Sequence, residues 1–336
     1  MQSDVMVSVA MMAYNHEKYI RKALDGVLSQ KCNFKFQIVV HDDASPDGTA
    51  DIIREYAQKY PDVVIPIYQT ENQYSQRVNI RKNFMDAHLN GKYLAFCECD
   101  DYWCDENKLQ KQVDFLESHP DFVAVGHNVK FIDQDGKDYT GPIPRAWTKM
   151  KSHVFTWKEV NNHQMWGQMA SRVLINDNCV PGLREKYDVF EKSCSHMNGD
   201  SFQSLFYFLL GRVYYMSDVM SCYRKSTSGT SYSARMQSKN HGSRKIRSLS
   251  EAIKLAEQFG VRLTYKKEYC KMVFSALTFW RKTKAEQDRQ TYLDCKAANP
   301  YKIASAFYNF FYSIRYYTMT MLSKIKQTLR GVLIGK

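Results

Sequence analysis

The chain has 336 residues, of which 44% are hydrophobic and 24% are charged. This is enough for about two globular domains with a real core, so it excludes a disordered chain and a small peptide-binding module. Charge is uneven, because residues 241–336 hold 19 Lys and Arg against 6 Asp and Glu, whereas residues 1–240 are close to neutral. The net charge of +12 therefore belongs to the carboxy-terminal third.

No segment is predicted to cross a membrane or to act as a secretory leader. The longest apolar run without charge, residues 303–314, is well short of the ~20 residues that a span needs. No Lys or Arg precedes Lys18, so the basic start of a signal peptide is missing. The odd number of cysteines indicates reduced thiols, with zinc at Cys97, Cys99 and Cys104 as a weak alternative. We therefore expect a cytoplasmic protein.

The first hundred residues alternate between strand and helix patterns. Apolar runs typical of buried strands cover residues 5–12, 36–40, 63–68 and 93–97. Helical spacing of apolar residues is seen between these runs, at 20–28, 52–60 and 81–89. This alternation predicts an α/β fold with a largely parallel sheet, in which ligands bind beyond the carboxyl ends of the strands.

The pattern changes after residue 105. The predicted elements that follow are a helix over 107–118, a strand over 122–131, a turn at 133–136, a helix over 201–210 and two short strands, 213–215 and 219–223. From about residue 240 the sequence is helical, basic and aromatic. We therefore divide the chain into residues 1–105, 106–240 and 241–336.

Two acidic clusters follow strands of the predicted sheet. Asp42 and Asp43 end the second strand, and Glu98, Asp100 and Asp101 follow the fourth. Crowded carboxylates repel each other unless a cation or a hydrogen-bonding ligand joins them. Mg²⁺ and Mn²⁺ prefer such oxygen ligands, together with phosphate oxygens. The alternative is that Asp100 and Asp101 cap the following helix.

Four motifs around these acids resemble family 2 glycosyltransferases, which are inverting enzymes with the GT-A fold. The motifs are VSVAMMAYN (7–15), VVHDDASPDGT (39–49), YLAFCECDDYW (93–103) and NKLQKQV (107–113). They have the form seen in bacterial members that build surface polysaccharides. The resemblance implies a central, mostly parallel sheet flanked by helices, and transfer of a sugar from a nucleoside-diphosphate donor, UDP in particular. It also makes 1–105 the donor-binding half and 106–240 the acceptor and catalytic half.

The resemblance assigns the nucleotide base to the loops after the first two strands. Ala13, Tyr14 and Asn15 would lie against the base. Asp43, with Asp42 beside it, would accept a hydrogen bond from N3–H of the base, which suits uracil or thymine.

The resemblance assigns the rest of the donor to three further segments. Arg81 would contact the nucleotide, and Glu98, Cys99 and Asp101 would border the ribose and diphosphate. Asp100 would bind Mn²⁺ or Mg²⁺. The sequence departs from the family at Glu98, which replaces the first Asp of the usual D-x-D motif.

Two segments of the second half, NGDSF (198–202) and VMSCYR (219–224), also resemble the family. They make Asp200 the general base that takes the proton of the acceptor hydroxyl, and they place Arg224 near the departing diphosphate. A plain helix N-cap is the alternative for Asp200. The resemblance also places His163, Trp166 and Gln168, which precede Arg172, in a segment that would shape the acceptor pocket.

The basic carboxy-terminal region predicts a partner with negative charge. Residues 301–336 interleave aromatic and aliphatic residues with Lys and Arg, as interfacial membrane helices do. We expect contact with an anionic membrane surface on its inner face, with simple packing as the alternative and nucleic acid disfavoured for want of a motif. The predicted acceptor is a glycan or a lipid-linked glycan. A nucleotide-sugar-binding protein without catalysis and a metal-dependent phosphatase are the alternative functions.

Overall fold

The structure is a computed structural model that describes residues 4–141, 143, 151–162, 164–225, 242–306, 308 and 309. Its strands are β1 (Val5–Ala13), β2 (Lys35–Asp42), β3 (Val64–Tyr68), β4 (Tyr93–Phe96), β5 (Tyr102–Trp103), β6 (Phe122–Ile132), β7 (His153–Val154), β8 (Val173–Ile175) and β9 (Arg212–Arg224). They pair in the order β3-β2-β1-β4-β8-β6-β9-β5, and β7 pairs with β9.

The structure has nine α-helices within the described residues. They are α1 (Ile20–Leu28), α2 (Thr49–Lys59), α3 (Lys108–Ser118), α4 (Trp157–Asn161), α5 (Leu183–Ser193), α6 (Gly199–Leu210), α7 (Gly242–Gln258), α8 (Lys266–Thr283) and α9 (Glu286–Ala298). Three short turns add a π-helix at Arg81–Met85 and 3₁₀ helices at Met169–Ser171 and Asp177–Cys179.

The predicted mostly parallel sheet is confirmed for the first hundred residues. β1 pairs in parallel with both β2 and β4, and β2 pairs in parallel with β3. Ala13 lies opposite Asp42 and Ala10 opposite Phe96, so the carboxyl ends of these strands meet at one edge. The loops that carry both acidic clusters therefore start from the same edge of the sheet.

Two predictions for the remaining elements were wrong, and one strand was not predicted. The helix expected over 81–89 is only the π-helical turn Arg81–Met85. The two short strands expected after residue 212 form one strand, β9, because a bulge between Met216 and Val219 takes up the polar residues that had suggested a break. β5 was not predicted, and it is paired by β9 rather than by its neighbours in sequence.

The described residues divide into two compact units. The first contains those up to 160, from 164 to 193 and from 198 to 225, and the second contains 161–162, 194–197 and those from 242 on. In the second unit α7, α8 and α9 pack together through apolar residues such as Leu249, Val273 and Leu277, which confirms a helical carboxy-terminal region. Among the helices of the described ranges, none combines the length and apolar character needed to cross a bilayer.

Candidate active site

Three carboxylates after β2 accept hydrogen bonds from backbone amides. We call Asp42, Asp43 and Asp47 the β2 cluster. Asp43 is buried, and its two oxygens accept hydrogen bonds from the amides of Gln73 at 2.8 Å and Tyr74 at 3.0 Å. Each carboxylate oxygen has a second lone pair, so Asp43 keeps capacity for a further donor such as a base N–H.

The other two members of the β2 cluster fix the turn into α2. Asp42 accepts a hydrogen bond from the amide of Ser45 at 3.2 Å, while its other oxygen is buried and has no partner among the described residues. Asp47 accepts hydrogen bonds from the amides of Thr49 and Glu17, both at 3.1 Å. Asp47 thus joins the start of α2 to the loop after β1.

The predicted base-binding loop lies beside the β2 cluster. The carbonyl of Ala13 accepts a hydrogen bond from the amide of Asp43 at 2.9 Å. Asn15 has a positive φ of 60°, which Asn tolerates better than most residues, and its amide donates to Ser45 Oγ at 3.0 Å. This turn leaves the Tyr14 side chain 47% exposed, so its ring is available for stacking.

Glu98, Asp100 and Asp200 come together from distant parts of the chain, and we call them the central cluster. Burial and then the negative charges of Asp200 and Asp100 raise the pKa of Glu98 well above its usual value, against the opposing charge of Arg172. No described residue donates a hydrogen bond to any of these three carboxylates. The central cluster therefore leaves its acids open to a ligand, unlike the β2 cluster.

Asp200 does not cap its helix. The N-cap of α6 is Asn198, whose side chain accepts a hydrogen bond from the amide of Ser201 at 3.1 Å. Asp200 lies in the first turn, where the positive end of the helix dipole favours an ionised carboxylate. The capping alternative for Asp200 is therefore wrong, and its carboxylate is free for other contacts.

The capping alternative for Asp100 and Asp101 is also wrong. The next helix, α3, has Asn107 at its N-cap position. Asp101 is buried and accepts a hydrogen bond from the amide of Arg224 at 2.7 Å, and the Arg224 side chain donates through Nε to the Asp100 carbonyl at 2.7 Å. The end of β9 thus holds the backbone of the central cluster in place.

The guanidinium of Arg224 is largely occupied by backbone carbonyls. Its Nη1 donates to the carbonyls of Asp133 at 2.9 Å and Gln134 at 3.0 Å, and the group lies 4.3 Å from the centre of the Tyr19 ring. Arg224 therefore lies beside the backbone of Asp100, and its contact with a diphosphate stays a prediction.

Arg81 lies in a buried network of ion pairs. Its guanidinium pairs with Asp86 at 2.9 Å and with Asp177, which also pairs with Arg184 at 2.8 Å. Against the effect of burial, Arg81 and Arg184 lower the pKa of Asp177. One nitrogen of Arg81, Nη1, is buried without a partner among the described residues. Its nucleotide contact stays a prediction.

Three further residues named from the sequence are buried or not described. Cys99 is fully buried, and burial raises the pKa of its thiol well above the usual value, so its place beside the ribose and diphosphate stays a prediction. His163, predicted to shape the acceptor pocket, lies outside the described residues. Trp166, in the same segment, is buried, and its Nε1 donates to the Ser204 carbonyl at 2.9 Å.

Residues 8–175 match the sequence profile of the family described as "Glycosyl transferase family 2". The chain belongs to this family. The matched region contains both the β2 cluster and the Glu98–Asp100 part of the central cluster. Asp200 lies beyond it, so its position in the site comes from the structure and not from the family match.

Individual curated proteins are similar to part of this family 2 chain. An uncharacterized protein of Mycobacterium tuberculosis is 42% identical over 146 residues, which are 43% of this chain and 40% of that protein. The minor teichoic acid biosynthesis protein GgaB of Bacillus subtilis is 30% identical over 122 residues, which are 35% of this chain and 13% of GgaB. The chain spans about half or less of the length of the curated relatives that it matches.

A solved structure shows the same fold. It is S. aureus TarS 1–349 in complex with UDP-GlcNAc, with a TM-score of 0.58 and 15% identity, covering 88% of this chain and 82% of that one. At this identity the likeness concerns the fold alone. It agrees with the GT-A architecture expected of a family 2 chain.

The central cluster of this family 2 chain fits a divalent cation that is shared with a ligand. Three carboxylates without hydrogen-bond donors, one of them with a raised pKa, form a site that positive charge would stabilise. No group of three His, Cys, Asp or Glu side chains among the described ranges could hold a metal ion alone. Mg²⁺ commonly takes only one or two protein carboxylates and completes its shell with phosphate oxygens and water, so Asp100 with a diphosphate fits this ion.

Sequence reasoning missed two residues at this site. His16 follows the base-binding loop, and burial lowers its pKa although the charges of Asp100, Asp47 and Asp42 oppose this. Its Nδ1 is buried without a partner among the described residues. The other residue is Arg172, which was named only as the end of the segment predicted to shape the acceptor pocket. Its burial beside the central cluster depends on tertiary packing and leaves no sequence signal.

Proposed function

We propose that this chain is an inverting glycosyltransferase that moves a sugar from a UDP-sugar to a glycan or lipid-linked acceptor in bacterial surface polysaccharide synthesis. The observation that carries the proposal is the central cluster, in which Asp200 lies within electrostatic reach of Glu98 and is free of a capping role. Family membership, the UDP-GlcNAc of the TarS structure and the name of GgaB support the reaction class, the donor and the pathway, respectively.

The proposed reaction is a single displacement at C1 of the donor sugar. The acceptor oxygen forms a bond to C1 on the face opposite the diphosphate, while the bond between C1 and the diphosphate oxygen breaks and its electron pair leaves with UDP. The acceptor hydroxyl loses its proton to Asp200, the carboxylate that the central cluster leaves on the acceptor side. Attack from the opposite face inverts the configuration at C1.

The donor half holds the nucleotide in this proposal. Tyr14 stacks on the base, and Asp43 accepts its N3–H with the lone pairs that the loop amides leave free. Asp100 would hold Mg²⁺ or Mn²⁺, which supplies positive charge to offset the leaving diphosphate. His16, beside Asp100 and with a free ring nitrogen, has the position of a further hydrogen-bonding contact to the diphosphate.

Asp200→Asn tests this function. Asn keeps the shape of the side chain but cannot accept the proton, so UDP release from a UDP-sugar, with water or a glycan as acceptor, should fall by roughly 10²–10⁴-fold. Affinity for UDP with Mn²⁺, measured by isothermal titration, should stay within about threefold because only the acceptor side changes. UDP-glucose, UDP-galactose and UDP-N-acetylglucosamine serve as donors. A variant that turns over at the wild-type rate would show that another acid is the base.

We also propose that the basic carboxy-terminal region brings the enzyme to an anionic membrane surface, where lipid-linked acceptors reside. The excess of Lys and Arg in 241–336 supports this, since each such residue contributes ~1 kcal/mol near an anionic leaflet. Removal of residues 301–336 should reduce co-sedimentation with phosphatidylglycerol vesicles, and added salt should weaken binding of the full chain. Equal binding to neutral phosphatidylcholine vesicles would contradict the proposal.

A further inference from the structure

Arg172 is a buried cation without a counter-ion in contact. Its side chain is fully buried, and it forms no ion pair with any carboxylate of the described residues, whereas Arg81 and Arg184 both pair with Asp177. Moving an ionised side chain out of water costs several kcal/mol unless hydrogen bonds and nearby charge repay the cost. A buried charge lowers stability if it only fills space, which suggests that the charge of Arg172 has a functional role.

The segment before Arg172 folds around its guanidinium. Nε and Nη2 both donate to the carbonyl of Gly167, at 3.2 and 2.9 Å, and the guanidinium lies 4.7 Å from the centre of the Trp166 ring. Gly167 has a φ of 146°, and a Cβ there would lie 2.2 Å from Ser171 Oγ. Glycine is therefore required for this backbone conformation, which lets the loop enclose the Arg172 guanidinium.

The same guanidinium reaches the first turn of α6. Nη1 donates to the carbonyl of Asp200 at 3.2 Å and to Oε1 of the buried Gln203 at 3.1 Å. Trp166 donates from its indole to the carbonyl of Ser204 at 2.9 Å in the next part of the helix. The loop therefore holds the start of α6 at two points, through Arg172 at the Asp200 carbonyl and through Trp166 at the Ser204 carbonyl.

The charges that act on Arg172 belong to the central cluster. Burial lowers the pKa of Arg172, and the carboxylates of Asp200 and then Glu98 oppose that change. Both carboxylates lie beyond ion-pair distance, so Arg172 adds positive potential to the site without occupying their oxygens. This arrangement leaves Asp200 able to accept a proton.

We infer that Arg172 is a positioning residue for Asp200, which fixes the first turn of α6 through the Asp200 carbonyl and supplies fixed positive charge behind the acceptor side of the central cluster. The inference rests on the proposed function, in which Asp200 is the general base. Because Arg172 is buried, it does not touch donor or acceptor itself.

Lys108 provides a matched control within the same unit. It is also fully buried without an ion pair, with Nζ 2.8 Å from Gln112 Oε1 and 3.9 Å from the centre of the Trp103 ring. After burial, the groups that act most on its pKa are the two thiols of Cys97 and Cys32, and no member of the central cluster is among its main causes. Lys108→Met thus removes a buried cation without changing the charge at Asp200.

The experiment compares Arg172→Met, Arg172→Lys and Lys108→Met in the full chain, with kcat and KM from UDP release and UDP affinity from isothermal titration. Arg172→Met should lower kcat by about 10²-fold, the loss typical of a misplaced catalytic group, with UDP affinity within about threefold. Guanidinium ion at millimolar concentration should restore part of this loss. Lys108→Met should change neither quantity beyond about threefold.

Arg172→Lys covers the case in which the Met variant does not fold. It keeps the charge but not the fork of hydrogen bonds, and should lose about tenfold in kcat. Hydrogen exchange at the amides of 200–204 should be faster in both Arg172 variants and unchanged in Lys108→Met. Suppose that the wild-type chain turns over the donor. An unchanged kcat in Arg172→Met, or unchanged hydrogen exchange at 200–204, would then overturn this inference alone. A wild-type chain that releases no UDP from any donor would overturn the proposed function and, with it, the catalytic part of the inference.

Discussion

The β2 cluster and the central cluster each contain three carboxylates, but their hydrogen bonding is opposite. In the β2 cluster, backbone amides from three loops donate to Asp42, Asp43 and Asp47. In the central cluster no described residue donates to the carboxylates, and burial with mutual repulsion raises the pKa of Glu98. Acids of the first kind stabilise the loops that are predicted to bind the nucleotide base. The acids of the central cluster lower the stability of the fold, and a ligand that brings positive charge or a proton would offset this loss.

The largest expected effect concerns the central cluster. Asp100→Ala should abolish the gain in UDP affinity that Mn²⁺ gives the wild type, by about 10²-fold or several kcal/mol, because the ion loses its protein ligand. Asp105→Ala is the control, since Asp105 lies nearby but pairs with Lys111 at 2.7 Å. Titration of Mn²⁺ at fixed UDP measures the effect. If the UDP affinity of Asp100→Ala depends on Mn²⁺ as in the wild type, the assignment of the metal to Asp100 is wrong.

The β2 cluster should respond through stability. Asp43→Ala leaves the amides of Gln73 and Tyr74 without their acceptor, so the free energy of unfolding should fall by about 1–3 kcal/mol in urea. Asp100→Ala should leave this free energy unchanged or raise it, because it removes a repelling charge and no hydrogen bond. If both variants lose the same stability, the distinction between the two clusters is wrong.

A smaller effect is expected at Lys108, a buried cation outside both clusters, whose charge lowers the free energy of unfolding. Burial lowers the pKa of Lys108 to about 7, below the ~10.4 of an unfolded chain. The unfolded state therefore binds more protons between pH 7 and ~10.4, and wild-type stability rises with pH across that window. Lys108→Met should be more stable by about 1–4 kcal/mol at pH 7 and below, and the advantage should shrink towards pH 10. Urea unfolding at several pH values checks this, and a constant difference would mean that burial does not lower the pKa of Lys108.

The parts of the fold that depend on local pattern could be predicted, and those that depend on distant pairing could not. The parallel strands and the position of Asp100 at a strand end follow from apolar runs and turn residues. β5, however, is only two residues long and exists because β9 pairs with it. The same limit applies to side chains, since the ion pair between Arg81 and Asp177 and the burial of Arg172 depend on contacts far along the chain.

The pairing of β5 with β9 also sets the order in which the site can form during synthesis. The hydrogen bond from the Arg224 amide to Asp101 joins residues 123 positions apart. Contacts so distant in sequence form late, because the entropy of closing the intervening chain must be met first. The β2 cluster joins residues about 30 apart and can form as soon as the first strands emerge. A nascent chain shorter than 224 residues would therefore have an ordered edge around the β2 cluster but no assembled central cluster, so the proposed sugar transfer would have to wait until β9 is made.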